Sequence, residues 1–542
     1  MRGSWQRLRA PYSAAIVVCM NDQSPQQNPN EPERPAPRPF PNSDYVRPGI
    51  DDRPDLDKAL TDEDKAAVAR LAVRQKPKTP PAAADQPEVQ AAAMGVTAPV
   101  GGADEPVPAL ESAFLDMRDP MVDANGDRPT KTQILRMKIG FACTAFFLAL
   151  ALAALNITLV PQELDALSGP VGGAIGLAWV LGVGIVCSFV ATIFFLPLSD
   201  HTRTPFGRRA PWFAGGTILS VIFAFALSAC HAPAAVGIVW AIMQIGIAAA
   251  LCSLHASLGE RVPDKFRDAV GRWRTVGLLA GLVCGIWLGV LMAHNPAEGM
   301  DLCAIGLLIA GIVGLFVIPR ESSTVYSRAK PMTNDDLLVT LRVPHPTRAW
   351  RMICFTRLFA SAGAVLAIAF VWFVVRYLHG AGEGLDVRAT MIMVALMGLL
   401  ACAMALLSEG VTDLIRSSTD NDQLVLMVGV VLSIVAAVVP LVSYTTAGLY
   451  VFAGVGGFAV HMVDDALQAL AVSSVPQIDR AAGYLAVFNS SATLGRLLGV
   501  AAGGFVFAFA ATFSSVFLWA AVAFALAGVC AAVAIASSRK QG

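Results

Sequence analysis

The chain has 542 residues, of which 55% are hydrophobic and only 15% are charged, and its mean hydropathy is +0.59. Soluble domains average about 25% charged residues, so this composition excludes an ordinary soluble protein. The 40 basic and 40 acidic residues cancel, and the ten cysteines show no metal-ligand spacing. We therefore expect no nucleic-acid partner, no metal site and no redox chemistry.

The first predicted segment, residues 1–130, is polar and rich in proline. It carries 15 basic and 20 acidic residues and 19 of the 33 prolines. Such a segment buries too little apolar surface to offset its chain entropy, so we expect a disordered tail. Its first 20 residues imitate a signal peptide but lack a small-residue cleavage site, and translation from Met1 or from Met20 fits equally well.

Beyond the tail, apolar runs of membrane-spanning length recur. A bilayer core of about 30 Å is crossed by about 20 helical residues. Buried helices of a soluble core are the alternative, but a series of twelve such runs argues against it. The predicted fold class is therefore all-α integral membrane, with spans at 138–160, 171–197, 211–230, 235–258, 275–293, 301–319, 352–378, 387–410, 424–443, 447–474, 482–510 and 513–536.

Lysine and arginine residues predict the orientation of these spans. With the N-terminus inside, the only basic residues beside an outer loop are Arg376 and Arg388. The positive-inside rule then places both termini in the cytoplasm of a multi-pass cell-membrane protein. The predicted domains are the tail 1–130, a six-helix half 131–319, a cytoplasmic linker 320–351, a second six-helix half 352–536 and a short tail 537–542.

Two loop patterns repeat at one offset. Asp200-His-Thr-Arg203 after the second span matches Asp413-Leu-Ile-Arg416 after the eighth, at an offset of 213 residues. The Val-Pro pair at 262–263 recurs at 475–476 with the same offset. Duplicated halves are common among secondary transporters, so the repeat predicts two pseudo-symmetric halves.

Glycines spaced by four mark one face of the fifth and eleventh spans. Small residues at this spacing allow two helix backbones to approach closely. We interpret both stripes as packing seams between the two halves. The glycines are Gly277, Gly281, Gly285 and Gly289 in the fifth span, and Gly495, Gly499 and Gly503 in the eleventh.

The loop from Leu198 to Trp212, LSDHTRTPFGRRAPW, resembles the loop 2–3 signature of the major facilitator superfamily. It is most similar to the SDRTR-x-FGRR-x-PW pattern of the glycoside–pentoside–hexuronide:cation symporters and related sugar carriers. Residues 258–271 and 454–489 resemble the same branch. The sequence departs from that pattern at Leu196, His201 and Pro205.

The resemblance implies that the loop signature stabilises one conformation of a carrier. A carboxylate at a helix end can accept from arginines and from a neighbouring helix N-terminus in one conformation only. A solvated basic loop that fixes topology is the alternative. The predicted latch consists of Asp200, Arg203, Arg208 and Arg209 in the first half, with Asp413 and Arg416 in the second.

In the resembled superfamily, helices 1, 4, 7 and 10 line a central cavity. Polar side chains inside a membrane are costly, which makes them default site candidates. The two tryptophans among them could stack on sugar rings, and a packed Trp is the alternative reading. The cavity candidates are Asn156, Trp240, Gln244, Ser361, Trp372 and Gln468.

Asp464 and Asp465 are interpreted as the only carboxylates deep within a span. We expect one to pair with Arg357, while the other takes part in proton coupling. His255 joins this candidate coupling set, and a structural ion pair is the alternative. Sodium-coupled members of the resembled branch use acidic residues on helices two and four, which this sequence lacks, so H⁺ is favoured over Na⁺.

No P-loop, HExxH or GxSxG motif occurs, so no enzymatic activity is predicted. The sequence predicts a secondary active transporter, acting as a monomer without a cofactor, with the lipid bilayer and a small solute as partners. The expected solute is a sugar or glycoside, moved by alternating access with proton coupling. A proton-driven exporter of drugs or metabolites, and a non-transporting membrane sensor or scaffold acting through its tail, remain alternatives.

Overall fold

The computed structural model describes residues 128–319, 346–378, 384–419, 421–475, 481–509 and 513–538. All regular secondary structure in these ranges is helical. The predicted tail up to residue 127 and most of the predicted linker, residues 320–345, lie outside the described residues.

The first half begins where a capping box starts a helix. The Thr130 side chain accepts from the Gln133 backbone N–H, and the Gln133 side chain accepts in return from the Thr130 N–H. The elements of this half are α1 (Lys131–Ala153), a π-helix (Ala154–Leu159), α2 (Val160–His201), α3 (Ala210–Leu227), α4 (Pro233–Arg261), α5 (Asp264–Leu291) and α6 (Pro296–Phe316).

A proline explains the π-helix. In an α-helix the ring of Pro161 would clash with the carbonyl of the residue four positions earlier. The chain widens instead, and the Val160 N–H donates to the Leu155 carbonyl, five residues back. The predicted cavity residue Asn156 lies in this widened turn.

The helical stretch from Lys131 to His201 contains two membrane crossings. Its 71 residues would be about 107 Å long if straight, more than three times a bilayer core. Gly169 breaks it with φ 71° and ψ −176°, a conformation open to glycine. A Cβ added at Gly173 would lie 2.8 Å from Asp165 Cα, so the chain folds back here.

Polar caps start three helices of the second half. Thr347 accepts from the Trp350 N–H, Asn421 from the Gln423 and Leu424 N–H groups, and Thr445 from the Gly448 N–H. The helices are α7 (Arg348–Ala369), α8 (Val371–Arg376), α9 (Val387–Thr419), α10 (Asp422–Val442), α11 (Thr446–Ser473), α12 (Ala481–Phe509) and α13 (Ser515–Ser538). The predicted span 352–378 is thus interrupted at Phe370.

The two halves repeat one packing scheme. In the first half α1 packs on α5 and α6, α4 on α2 and α3, and α3 on α6. In the second half α7 packs on α12 and α13, α11 on α9 and α10, and α10 on α13. Each pair of the first half therefore has a counterpart in the second.

Two helix pairs join the halves, α2 with α12 and α5 with α9. Exchanging the halves converts one pair into the other, so the repeat is a pseudo-twofold relation. Eleven helical stretches are long and apolar enough to cross a membrane. Because the first contains two crossings, the described residues make twelve.

Candidate functional site

The glycine stripe of α5 lies against α1, inside the first half. A Cβ at Gly277, Gly281 or Gly285 would overlap a backbone carbonyl oxygen of α1, and a Cβ at Gly289 would overlap Thr158 of the π-helix. The α5 face is therefore in direct contact with the α1 backbone.

The stripe of α12 makes the equivalent contact with α7. A Cβ at Gly495 would overlap the Leu358 carbonyl oxygen, one at Gly499 that of Ala362, and one at Gly503 the Phe370 ring. The prediction that these seams join the two halves is wrong, since both lie within a half. Spacing on one helix reveals a close contact but not the identity of the partner helix.

The basic end of the bundle, where α2 and α4 end and α3 and α5 begin, is built around Arg209. This arginine is buried, donates to Glu260 Oε1 at 2.5 Å, and also contacts the side chains of Asp200 and Ser199. Arg208 reaches Glu260 at 2.9 Å. Sequence reasoning missed Glu260, which sits just before the repeated Val-Pro pair.

Asp200 lies at the end of α2, beyond the predicted span. Burial raises the pKa of its carboxyl group, and the neighbouring Arg209 partly offsets that rise. Arg203 donates to the Asp200 backbone carbonyl at 2.7 Å. These contacts all fall within the first half, and the conformational role of the loop stays a prediction.

The repeated Asp-Arg pattern of the second half has different partners. Arg416 donates to Asp422 of α10 at 2.7 Å and to Asp465 of α11 at 3.1 Å. Asp413 is 3.7 Å from Arg416, and 79% of its side chain is exposed. Arg416 thus ties α9, α10 and α11 together, with a weaker contact to Asp413.

Arg357 and Asp464 form a direct ion pair between α7 and α11. Arg357 is buried and lies over the Phe488 ring, with its guanidinium carbon 5.1 Å from the ring centroid. Gln468 donates to the second oxygen of Asp464 at 2.9 Å. Of the two adjacent acids, Asp464 therefore pairs with Arg357, and Asp465 with Arg416.

A third carboxylate lies in this region. Glu409, inside the predicted span 387–410, is 3.6 Å from His461 Nε2. Ser408 lies 3.0 Å from the other ring nitrogen of that histidine. The interpretation of Asp464 and Asp465 as the only deep carboxylates is therefore wrong, because Glu409 lies close to the end of its predicted span.

The cavity candidates on α4 are packed against α2. Trp240 and Gln244 are 1% and 4% exposed. A Cβ at Gly184 would lie 2.8 Å from the Trp240 ring and 3.2 Å from Gln244 Cγ. Farther along α4, the buried His255 interacts electrostatically with Arg274 of α5.

The remaining candidates occupy separate places. Trp372 is fully buried in edge contact with Phe373 and lies under the Arg376 guanidinium group. Ser361 lies at the α7–α12 seam beside Gly495. The structure thus does not gather the predicted cavity residues into one cluster, and their roles stay predictions.

Asp165 joins the two halves at the opposite end of the bundle. The Tyr377 hydroxyl donates to Asp165 Oδ1 at 2.7 Å, and Arg376 Nε lies 3.8 Å from Oδ2. The Tyr377 ring stacks on Phe513, with 5.2 Å between centroids. Sequence reasoning missed this cluster, since its partners are more than 200 residues apart in sequence.

Asp165 precedes the turn at Gly169, between the predicted spans 138–160 and 171–197. Burial raises the pKa of its carboxyl group above the ordinary value, while Tyr377 and Arg376 partly offset the rise. Its ionised form is therefore less stable here than in water.

Comparison with known proteins identifies similar structures but no similar sequences. No protein-family model and no curated protein matches the chain. A mutant form of the nucleoside transporter NupG is similar with a TM-score of 0.55 and 14% identity, over 74% of this chain and 99% of the other. The human organic anion transporter MFSD10 (TETRAN) is similar with a TM-score of 0.50 and 14% identity, over 73% of this chain and 99% of the other.

Identity this low carries information about the fold, and the fold agrees with the helix pairings described above. The predicted fold class is confirmed, whereas the sugar-symporter branch stays a prediction. The chain is an all-α, multi-pass membrane protein with the twelve-helix, two-half fold of the major facilitator transporters.

Proposed function

We propose that the protein is a secondary active transporter that moves a small polar solute, a sugar or glycoside, by alternating access. The observation that carries this proposal is the pseudo-symmetric packing of two halves, joined at one end by Asp165, Tyr377 and Arg376. Two equivalent halves can rock about a common interface and expose a midplane site to either side. The two similar structures are also named as transporters.

In this proposal both termini lie in the cytoplasm of the cell membrane, and the monomer is the working unit. The Asp165 end is then the outer end, and the described conformation is closed there. Asp200 and Asp413, with their neighbouring arginines, are our candidates for stabilising the conformation open to the outside. No cofactor takes part.

We assign proton coupling to the polar cluster that connects α7, α9 and α11. Its acidic members Asp464 and Asp465 each contact an arginine from another helix. Ion pairs between helices can break and reform when a carboxylate gains or loses a proton. Export of drugs or metabolites through the same cluster is the second candidate, favoured by the similarity to a structure named as an organic anion transporter.

The test is transport by the full chain in proteoliposomes. Labelled sugars, glycosides, nucleosides and organic anions are offered with a proton gradient of either polarity and with the gradient abolished. We expect one class to accumulate only with the gradient. Arg357→Ala should abolish accumulation, while Arg351→Ala, an exposed residue on the same helix, should not. Fluxes equal to those of protein-free liposomes for every class would refute the proposal.

A further inference from the structure

Two adjacent side chains of α9 approach both ring nitrogens of His461 on α11. Ser408 Oγ lies 3.0 Å from His461 Nδ1, and Glu409 Oε1 lies 3.6 Å from Nε2. Ser408 is fully buried, whereas His461 and Glu409 keep 24% and 54% of their side chains exposed. The trio therefore combines a buried hydroxyl with two titratable groups that water can reach.

The Ser408 hydroxyl fixes the tautomer of the imidazole. Its Oγ donates to the Ala405 carbonyl at 2.6 Å. A hydroxyl has a single proton, so towards His461 the Ser408 oxygen can only accept. Nδ1 of His461 must then carry a hydrogen, and in the neutral ring Nε2 presents a lone pair.

That lone pair faces the Glu409 carboxylate, so two acceptors oppose each other at 3.6 Å. One added proton removes the conflict, because an imidazolium Nε2–H donates to the carboxylate in a charge-assisted hydrogen bond. Protonating Glu409 instead lets its O–H donate to Nε2. In either form the pair binds one proton, and without it both acceptors lack a donor in this contact.

The surrounding charges favour the protonated form. On α11 itself Asp464 is paired with Arg357 of α7, and Asp465, one turn from His461, with Arg416 of α9. Asp422 of α10 shares Arg416, and Asp413 of α9 lies 3.7 Å from it. The α12 helix carries Tyr484 and Arg496. Near His461, carboxylates thus outnumber the guanidinium groups that pair with them, and added positive charge is stabilised.

We propose that His461 and Glu409, oriented by Ser408, form the site that takes up and releases the coupling proton. This inference rests on the proposed transport function and deepens it. The α9 helix also packs against α5 across the two halves, where Gly398 meets Ile286. A change in the α9–α11 contact therefore acts on a helix that forms part of the interface between the halves.

The first test does not depend on transport. Full-length protein labelled with ¹⁵N-histidine is placed in nanodiscs, and the His461 signals are identified by their loss in His461→Gln. At high pH we expect the neutral ring with its hydrogen on Nδ1. Ser408→Ala should move that hydrogen to Nε2, which can then donate to Glu409. A ring protonated on Nε2 in the parent protein would overturn the assignment.

Acidification tests the proton site itself. His461 should become doubly protonated, and Glu409→Gln should require at least tenfold more protons for the same change, because a glutamine amide can donate to Nε2. Glu298→Gln, an exposed carboxylate of α6, serves as the matched control and should leave the titration unchanged. A His461 titration that Glu409→Gln does not move would contradict the proposal.

Transport then separates the two levels of the argument. Glu409→Gln should lose gradient-driven accumulation while keeping downhill exchange of the same solute. Full accumulation in both Glu409→Gln and His461→Gln would reject this coupling site and leave the transporter proposal intact. If no solute is transported at all, the transporter proposal fails, while the nuclear magnetic resonance results still decide whether the proton site exists.

Discussion

At the scale of single residues, the contact around Asp165 joins parts of the chain that are far apart in sequence. Its carboxylate accepts from Tyr377 and lies near Arg376, both in the other half. A hydrogen bond to a charged group contributes about 1.5–3 kcal/mol. A contact of this strength can bias an equilibrium between two conformations without making the protein rigid.

Tyr377→Phe should therefore weaken the closure at this end. A loss of about 1.4 kcal/mol changes the ratio of two conformations about tenfold. The separation of spin labels at the exposed positions Ser168 and Ala389, in a background without other reactive cysteines, measures the change. We expect a larger population with a long distance.

The matched control for this variant is Tyr444→Phe. The Tyr444 hydroxyl donates to the Val374 carbonyl at 2.9 Å, and both residues lie in the second half. Its loss should lower stability without changing the distance distribution. Equal distributions for Tyr377→Phe and the parent protein would show that the Asp165 contact does not set the closure.

The raised pKa of Asp165 predicts that the closure depends on pH. The closed conformation holds a proton on Asp165 more tightly than a conformation in which water reaches the carboxyl group. Acidification should favour closure between the raised pKa and the ordinary value of about 3.9, and closure should weaken as pH rises through that window. The same spin-label distances, recorded against pH, test it.

Asp165→Asn supplies the control for the pH series. The amide has no titratable proton, so the dependence within this window should disappear. A pH dependence of equal size in Asp165→Asn would assign the effect to another group.

At the scale of helices, the glycine seams determine how closely α5 and α12 approach their partners. Gly281→Ala should push α5 away from the Phe146 carbonyl of α1 and destabilise the protein by about 1–3 kcal/mol. Gly215→Ala in α3, which has no atom within 4 Å of an added Cβ, should leave the melting temperature within error. Thermal unfolding in detergent measures both, and equal melting temperatures would contradict the seam.

Hydropathy and local signals predict the helices well, because span length and polar caps are local properties. The Thr130 capping box marks the start of α1, and the Asp200 repeat marks the two halves. The partners of side chains depend on tertiary packing, which one sequence does not encode in its spacing. The glycine stripes were consequently assigned to the wrong helix pairs, and the contacts of Asp165 and Glu409 were missed.

At the scale of the whole molecule, the described body begins with its own start signal. The Thr130–Gln133 capping box satisfies the first backbone N–H groups of α1 without residues 1–125. Deleting those residues should therefore leave folding intact and keep the transport rate within about twofold, since a lost cap costs about 1 kcal/mol and this cap is retained.

Flux in proteoliposomes and elution by size exclusion measure this deletion. A truncated chain that folds but has lost its cellular role, with transport unchanged, would favour the sensor alternative for the tail. A truncated chain that no longer transports would place a transport determinant within residues 1–125.

The α1–α5 seam has a consequence for biosynthesis. The carbonyl-lined face of α1 has no partner until Gly277–Gly289 have been synthesised, about 150 residues later. Until then α1 must wait in the membrane beside lipid or an insertion factor, and the α7–α12 seam repeats the delay in the second half. A bulky residue in either stripe would thus act first on the yield of newly made protein, before the finished carrier has bound any solute.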